Sequence, residues 1–225
     1  DPEIKLRGYK KDIALHSFFQ ALLMKRPFNL FHRANLYLRT NNVNRNFGNK
    51  TTWDTPIKSL MERLVVETNS AVFNNGKKHK VLNQDALKVP PKYDLIYLDP
   101  PYYPSDVYRC VNYLDFYHFL EGICIYEEWK ENINYNKKSL SLKNKDSSFK
   151  KQTFMRDLEN LFEIHQESTI VMSYKSPGYP SLEQIMKTLN ETHENLEISS
   201  RIHFYSLNKN NGHYTENIIV GFPKS

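Results

Sequence analysis

Residues 93–103 read YDLIYLDPPYY, and the fold follows from how that stretch divides. Its first half, Tyr93 to Leu98, is a short apolar run of the kind that forms a buried parallel strand. Its second half sets a carboxylate (Asp99), two prolines (Pro100 and Pro101) and an aromatic ring (Tyr102) at the strand's carboxyl end, which is where open α/β sheets place their chemistry. Adjacent prolines fix φ and bias the preceding residues away from the α region. Asp99 and Tyr102 are therefore expected on a stiff turn with little freedom to lose on binding a flat substrate. A strand-ending turn without function is the plain alternative.

Working outward, residues 111–129 carry Val111, Leu114, Phe116, Tyr117, Leu120, Ile123, Cys124 and Trp129, which predicts one helix lying on the sheet. Residues 130–151 interrupt the apolar pattern with seven Lys among Asn and Ser, a composition that predicts a mobile basic loop. A helix over 152–165 follows, then a strand over TIVMS at 169–173 with Tyr174 to Gly178 as its terminal loop. Ser181 and Gln184 have the spacing of a capping box for the next helix. Strands at 201–206 and 215–222 flank Asn211-Gly212 and form an antiparallel hairpin.

On the amino-terminal side, residues 79–82 are a strand candidate, and the polar cluster Asn83, Gln84, Asp85, Ala86 and Leu87 follows it. Such a cluster beyond a strand can meet an adenine ring or simply cap a loop. Helices are expected over 12–25 and after Thr55-Pro56, the threonine as cap and the proline in the first turn. Between them lies an irregular polar stretch, 26–53, with Arg33, Arg39, Asn49 and Lys50 set among aromatics. Arginine forks suit phosphates or guanine, and asparagine reads adenine. The pattern is an α/β sheet with an antiparallel end and a domain boundary near 75/76, a helical basic region before it and the sheet after it.

Composition narrows the function classes. At 225 residues with 40% hydrophobic and 25% charged content the chain can bury a real core. No run of eighteen apolar residues and no signal-like start occurs, so the expected setting is the cytoplasm and no membrane partner is called for. The net charge of +6 is concentrated in residues 1–50, which hold ten Lys/Arg against three Asp/Glu. A basic segment beside a nearly neutral body suits a phosphate backbone. Two cysteines without a CxxC or Cys/His cluster argue against a zinc site, and no metal is expected. No GxGxxG, phosphate loop or Ser/His/Asp arrangement is present.

What remains is a carboxylate beside a fixed ring, an arrangement suited to an exocyclic amine on a flat heterocycle. Asp99 and a proline carbonyl can each accept one N–H while Tyr102 stacks on the ring, leaving the amine lone pair free to attack an electrophile. A base in a duplex reaches such a pocket only by flipping out of the stack.

These residues resemble the Dam-like (D12) class of DNA adenine-N6 methyltransferases. The resemblance rests on DPPY at 99–102 after DLIYL, on KRPFN, HRANLYLR and FGNKTTW within 25–53, on NQDAL at 83–87 and YHFLEG at 117–122, and on SYKSPGYPS at 173–181 and ENIIVG at 216–221. It implies a Rossmann-like methyltransferase sheet, S-adenosylmethionine as cofactor, and adenine in a specific double-stranded DNA sequence as substrate. The variety is common in restriction–modification systems, so a cognate endonuclease is an implied companion. By the same resemblance Asp99, Pro100, Pro101 and Tyr102 are catalytic, and Asp85, Ala86 and Asp99 face the cofactor. Arg33, Arg39, Asn49 and Lys50 would contact DNA, and Tyr174 and Lys175 would line the substrate side with the rest of Ser173 to Pro177. Amine methylation on RNA, free base or protein glutamine is the rival among enzymes, and an inactive DNA-binding specificity subunit is the rival outside them.

One departure stands out. Members of this class carry a glycine-rich FxGxG turn for the methionine end of the cofactor, whereas the seven glycines here are all isolated. In the class's strand order, two further strands separate the equivalents of 79–82 and 93–98. The expectation is a carboxyl-terminal portion of a larger protein, or one subunit of a split enzyme, with the sheet incomplete at its amino-terminal side.

Overall fold

The computed structural model describes residues 8–25, 54–104, 113–137, 140–143, 149–204 and 213–224. In chain order they form α1 (Tyr9–Met24), α2 (Ile57–Ser70), β1 (Leu95–Leu98), α3 (Tyr113–Cys124), α4 (Trp129–Asn132), α5 (Phe154–Ile164), β2 (Thr169–Ser176), α6 (Leu182–Thr192), β3 (His193–Phe204) and β4 (His213–Pro223). The described residues fall into two compact units, one within Asp1–Lys80 and Asn112–Asn144 and the other within Val81–Val111 and Lys145–Ser225. The stretch holding α3 falls in the same unit as α1 and α2.

The four strands make one sheet in the order β1-β2-β4-β3. β1 and β2 are parallel, while β4 runs antiparallel to both β2 and β3. This is a mixed α/β sheet closed by a carboxyl-terminal antiparallel hairpin, as the sequence pattern predicts. Its core follows strand alternation: Ile170, Met172 and Tyr174 of β2 and Ile219 of β4 point to one face, where Phe154, Leu158 and Phe162 of α5 and Ile185 and Leu189 of α6 cover them. α6 begins at the expected capping box, with the Gln184 N–H donating to Ser181 Oγ at 3.2 Å and the Ser181 N–H to Gln184 Oε1 at 2.8 Å.

The opposite face carries exposed apolar side chains among the described residues. Leu95 and Tyr97 of β1 are 57% and 59% exposed, and Ile218 and Phe222 of β4 share that face and are also exposed. Among the described residues no strand pairs with the outer edge of β1. The two edges of the sheet differ in chemistry. β3 presents Glu197, Ser199, Ser200 and Arg201, the polar content that guards an edge, whereas β1 is Leu-Ile-Tyr-Leu.

Several expectations are corrected. Residues 79–82 form no strand, and Val81 is 96% exposed, because a Lys- and His-flanked pair of apolar residues gains nothing from extension without a neighbour to pair with. The helix expected over 111–129 ends at Cys124, and the chain turns through Ile125 into a short 3-10 segment before α4. That reversal lays the Trp129 indole on Gly122, where an added Cβ would sit 2.0 Å from the ring. The described part of 130–151 is tied down, with an antiparallel bridge between Ile133 and Leu142, Lys143 N–H donating to the Asn132 carbonyl at 2.8 Å, and Ser141 and Leu142 buried. α2 is capped by Pro56 with no side-chain bond, not by Thr55. The apolar stripe expected on it, Ile57, Leu60, Met61, Leu64 and Val65, is only part-covered: Leu60 and Leu64 pack with Ala21 of α1, while Ile57 and Val65 are exposed. β2 and β3 both run longer than the sequence pattern shows, β2 to Ser176 and β3 from His193.

His193 and His165 are fully or almost fully buried, and burial holds both imidazoles below their ordinary range. For His193 the Nε2–H donates to the Ser168 carbonyl at 3.0 Å, and Nδ1 lies 2.8 Å from the Thr192 hydroxyl. The native state therefore keeps both rings neutral, while the unfolded chain takes up protons as pH falls toward about 6.5. Stability from these groups is present above that pH and is lost as pH falls below it. The thermal unfolding midpoint is expected to drop between pH 7.5 and 5.5, and a midpoint constant across that window would contradict the buried neutral rings.

Candidate active site

Register creates the site. Leu98 is paired with Met172, so the next residue on each parallel strand, Asp99 and Ser173, emerge side by side at the carboxyl end of the sheet. The Ser173 hydroxyl donates to Asp99 Oδ1 at 3.2 Å. The Asp-Pro-Pro-Tyr turn then brings Tyr102 back over its own start, and the phenol donates to the same Oδ1 at 2.6 Å. The two hydroxyl oxygens are 3.4 Å apart. Burial, followed by the hydrogen bond to Asp99, pushes the Tyr102 phenol up to about 12, so near neutral pH it is a donor and not a phenolate. Among the described residues nothing donates to Asp99 Oδ2, and Asp99 is exposed.

The turn is held from behind by Tyr103, which the sequence reading passed over as the second of two tyrosines. It is 6% exposed and stands edge-on to Phe154 at 5.7 Å between centroids. Its hydroxyl donates to the Phe149 carbonyl, and its own carbonyl accepts from the Tyr179 N–H at 2.8 Å. Phe149 is held at φ 59°, a left-handed conformation unusual for a bulky residue. Its N–H donates to Asp157 Oδ2 at 2.7 Å, and the Thr153 hydroxyl donates to the same oxygen at 2.6 Å. Burial raises the Asp157 carboxyl, but these bonds together with Arg156 outweigh it and keep the group below the ordinary range.

The other expected site residues divide. Pro100 and Pro101 are half-buried within the turn. Tyr174 lies on the core side of β2, 1% exposed, with its hydroxyl donating to the Pro180 carbonyl and its ring 6.2 Å from that of Tyr102. It supports the turn from the core and presents no open surface, because alternation sends it to the face opposite Ser173. Lys175 returns to the Ser173 face and holds its ammonium 4.4 Å from the Tyr214 ring centroid. Asp85 caps the 3-10 turn Ala86–Lys88, its carboxylate accepting from the Leu87 N–H at 3.0 Å. Arg33, Arg39, Asn49 and Lys50 lie outside the described residues.

An orienting residue that the sequence offers only within ENIIVG, with no role of its own, is Asn217. Buried to 1% exposure, it donates from Nδ2 to the Tyr174 carbonyl and Ser176 Oγ, both at 2.9 Å, and accepts from the Ser200 hydroxyl at 2.8 Å. One amide thus ties three strands together where β2 reaches the site.

A carboxylate with one oxygen gripped by two hydroxyls and the other open, beside a ring on a braced turn, is an acceptor for the N–H of a planar amine. The family model for D12 class N6 adenine-specific DNA methyltransferase matches residues 9–173. The chain belongs to that family. The matched span takes in Asp99, Tyr102 and Ser173. No curated protein and no solved structure matches the chain significantly. For a D12 methyltransferase the membership implies S-adenosylmethionine dependence, and a cradle for the cofactor's methionine end needs glycines with open space beside a turn. Gly122 is filled by Trp129, Gly178 would bring a Cβ within 2.8 Å of the Lys175 carbonyl, and Gly221 is packed by Leu189, Leu196 and His193. Gly8 and Gly76 stand alone in open turns at positive φ. The described residues do not form that cradle. Among them no helix is long and apolar enough to cross a membrane.

Replacing Asn217 by alanine removes the amide that donates to the Tyr174 carbonyl and Ser176 Oγ at a buried position. The variant is expected to lose roughly 1–3 kcal/mol of stability, read as a lower urea midpoint with unchanged slope. An unchanged midpoint would remove Asn217 from the account of how the site is held.

Proposed function

We propose that the chain carries the target-amine site of a site-specific DNA adenine-N6 methyltransferase, acting on double-stranded DNA within a restriction–modification system. The observation that carries the reading is the Asp99–Tyr102–Ser173 cluster, formed where β1 ends beside the parallel β2, in a chain of the D12 family. Asp99 Oδ2 and the Pro100 carbonyl accept the two N–H groups of a flipped adenine. That leaves the N6 lone pair directed out of the pocket. Tyr102 stacks on the base, and its neighbours Pro100 and Pro101 restrict water at that side. S-adenosylmethionine, when bound, supplies the methyl group. Asp85 and Ala86 are its adenine-side contacts in this reading. Arg33, Arg39, Asn49 and Lys50 hold the DNA, with a cognate endonuclease as functional companion.

The cofactor's methionine end is held by further polypeptide, either preceding this chain or as a separate subunit. Supporting this are the apolar edge of β1, with which no strand pairs among the described residues, and the exposed Leu95, Tyr97, Ile218 and Phe222 on one sheet face. An added strand would satisfy the free backbone groups of that edge. A second reading, a DNA-binding specificity subunit without activity of its own, draws on the same lack of a cradle among the described residues.

Asp99→Ala separates the two. Tested in the natural gene product with whatever copurifies, the enzyme reading expects methyl transfer to fall by on the order of 10²–10³-fold while DNA affinity stays within about twofold. Lost DNA binding with unchanged methylation would overturn the assignment of Asp99.

A further inference from the structure

Asp99 sits on a turn, and a carboxylate at the end of two rotatable side-chain bonds has no preferred face unless something holds it. Tyr102 holds it in this structure, but a ring that stacks on an incoming base must be able to move. Ser173 differs in both respects. It lies inside the β2 ladder, opposite Ile218 on β4 and one residue beyond the Leu98–Met172 pair. The backbone after it is clamped by Asn217 through the Tyr174 carbonyl. Its hydroxyl reaches Asp99 Oδ1 at 3.2 Å from a strand that a substrate does not need to displace.

The geometry points to Ser173 as the positioning residue that decides which oxygen of Asp99 meets the substrate amine, gripping Oδ1 and so presenting Oδ2. This rests on the amine-acceptor reading of the cluster. In this structure two hydroxyls share Oδ1, with the phenol at 2.6 Å the closer of them. When Tyr102 turns to the base it leaves Oδ1, and the serine remains as the fixed donor. The role needs a hydroxyl at this Cβ and nothing else of the side chain. Threonine therefore fills it, and a β-branched residue is at home in a strand. Alanine does not fill it.

The test compares Ser173→Ala and Ser173→Thr with the wild type, each as the full gene product together with any copurifying polypeptide. Four quantities are measured: kcat for methyl transfer, KM for DNA, the thermal midpoint, and the carboxyl ¹³C resonance of Asp99, assigned by its disappearance in Asp99→Asn. The alanine variant is expected to lose roughly 10- to 100-fold in kcat, the effect of one hydrogen bond to a charged acceptor. Its KM for DNA should stay within about twofold and its midpoint should be unchanged, with the Asp99 resonance displaced. The threonine variant is expected to recover kcat to within about threefold and to return the resonance. Equal impairment of both variants with a lowered midpoint would make Ser173 a packing residue and overturn the inference, as would full activity in Ser173→Ala. A resonance that does not move in an active wild-type background defeats this inference alone. A resonance that moves in a protein that methylates no DNA defeats the methyltransferase reading, and with it the role assigned to Ser173.

Discussion

The site depends on one pairing register. Because β1 and β2 run parallel with Leu98 opposite Met172, the first residue past β1 and the next residue of β2 are Asp99 and Ser173, adjacent without any long side chain reaching across. A slip of one residue would exchange Ser173 for Met172 or Tyr174, both buried in the core. Register is in turn fixed by which residues are apolar: Ile170, Met172 and Tyr174 must meet α5 and α6. The chemistry of the strand end and the packing of the strand body are therefore one constraint.

A second constraint follows from the DPPY turn. Its prolines restrict the backbone, but stiffness alone does not place it against the sheet. Tyr103 does that, through Phe154, Phe149 and the bridge to Tyr179. The Asp157 carboxylate anchors Phe149 in turn. Tyr102 and Tyr103 thus divide the work of an adjacent pair, one ring toward the site and the other into the core. The turn's position follows from the pair more than from the prolines.

Local pattern read some of this well and some not at all. The division of YDLIYLDPPYY into strand and turn, the Ser181–Gln184 box and the closing hairpin are each encoded within a few neighbouring residues, and the structure contains all three. Residues 79–82 look like a strand in isolation, yet extension depends on a partner strand, which local pattern does not report. Polar Lys175 and Ser176 made the end of β2 look like a loop, although parity from Ile170 through Met172 already pointed Tyr174 inward. The continuous apolar period of 111–129 hid the reversal at Ile125, because the contact that stabilises it, Trp129 on Gly122, spans seven residues and depends on a missing Cβ. Asn217 gave no local signal, since its partners lie on β2, β3 and β4 itself. The DNA-facing candidates of 26–53 lie outside the described residues, so the recognition half of the reading stands on sequence.

Under the proposed function, the Asp99–Tyr102–Ser173 cluster presents adenine N6, and no other base nitrogen, for methylation. The most direct measurement is mass spectrometry of nucleosides released from a duplex DNA library after incubation with S-adenosylmethionine and the gene product, purified with its associated polypeptide from a host lacking adenine methylation. The expected product is N6-methyladenine, confined to one sequence context and absent when Asp99 is replaced. Methylation appearing on cytosine instead, or no methylated base despite confirmed binding of S-adenosylmethionine and DNA, would contradict it.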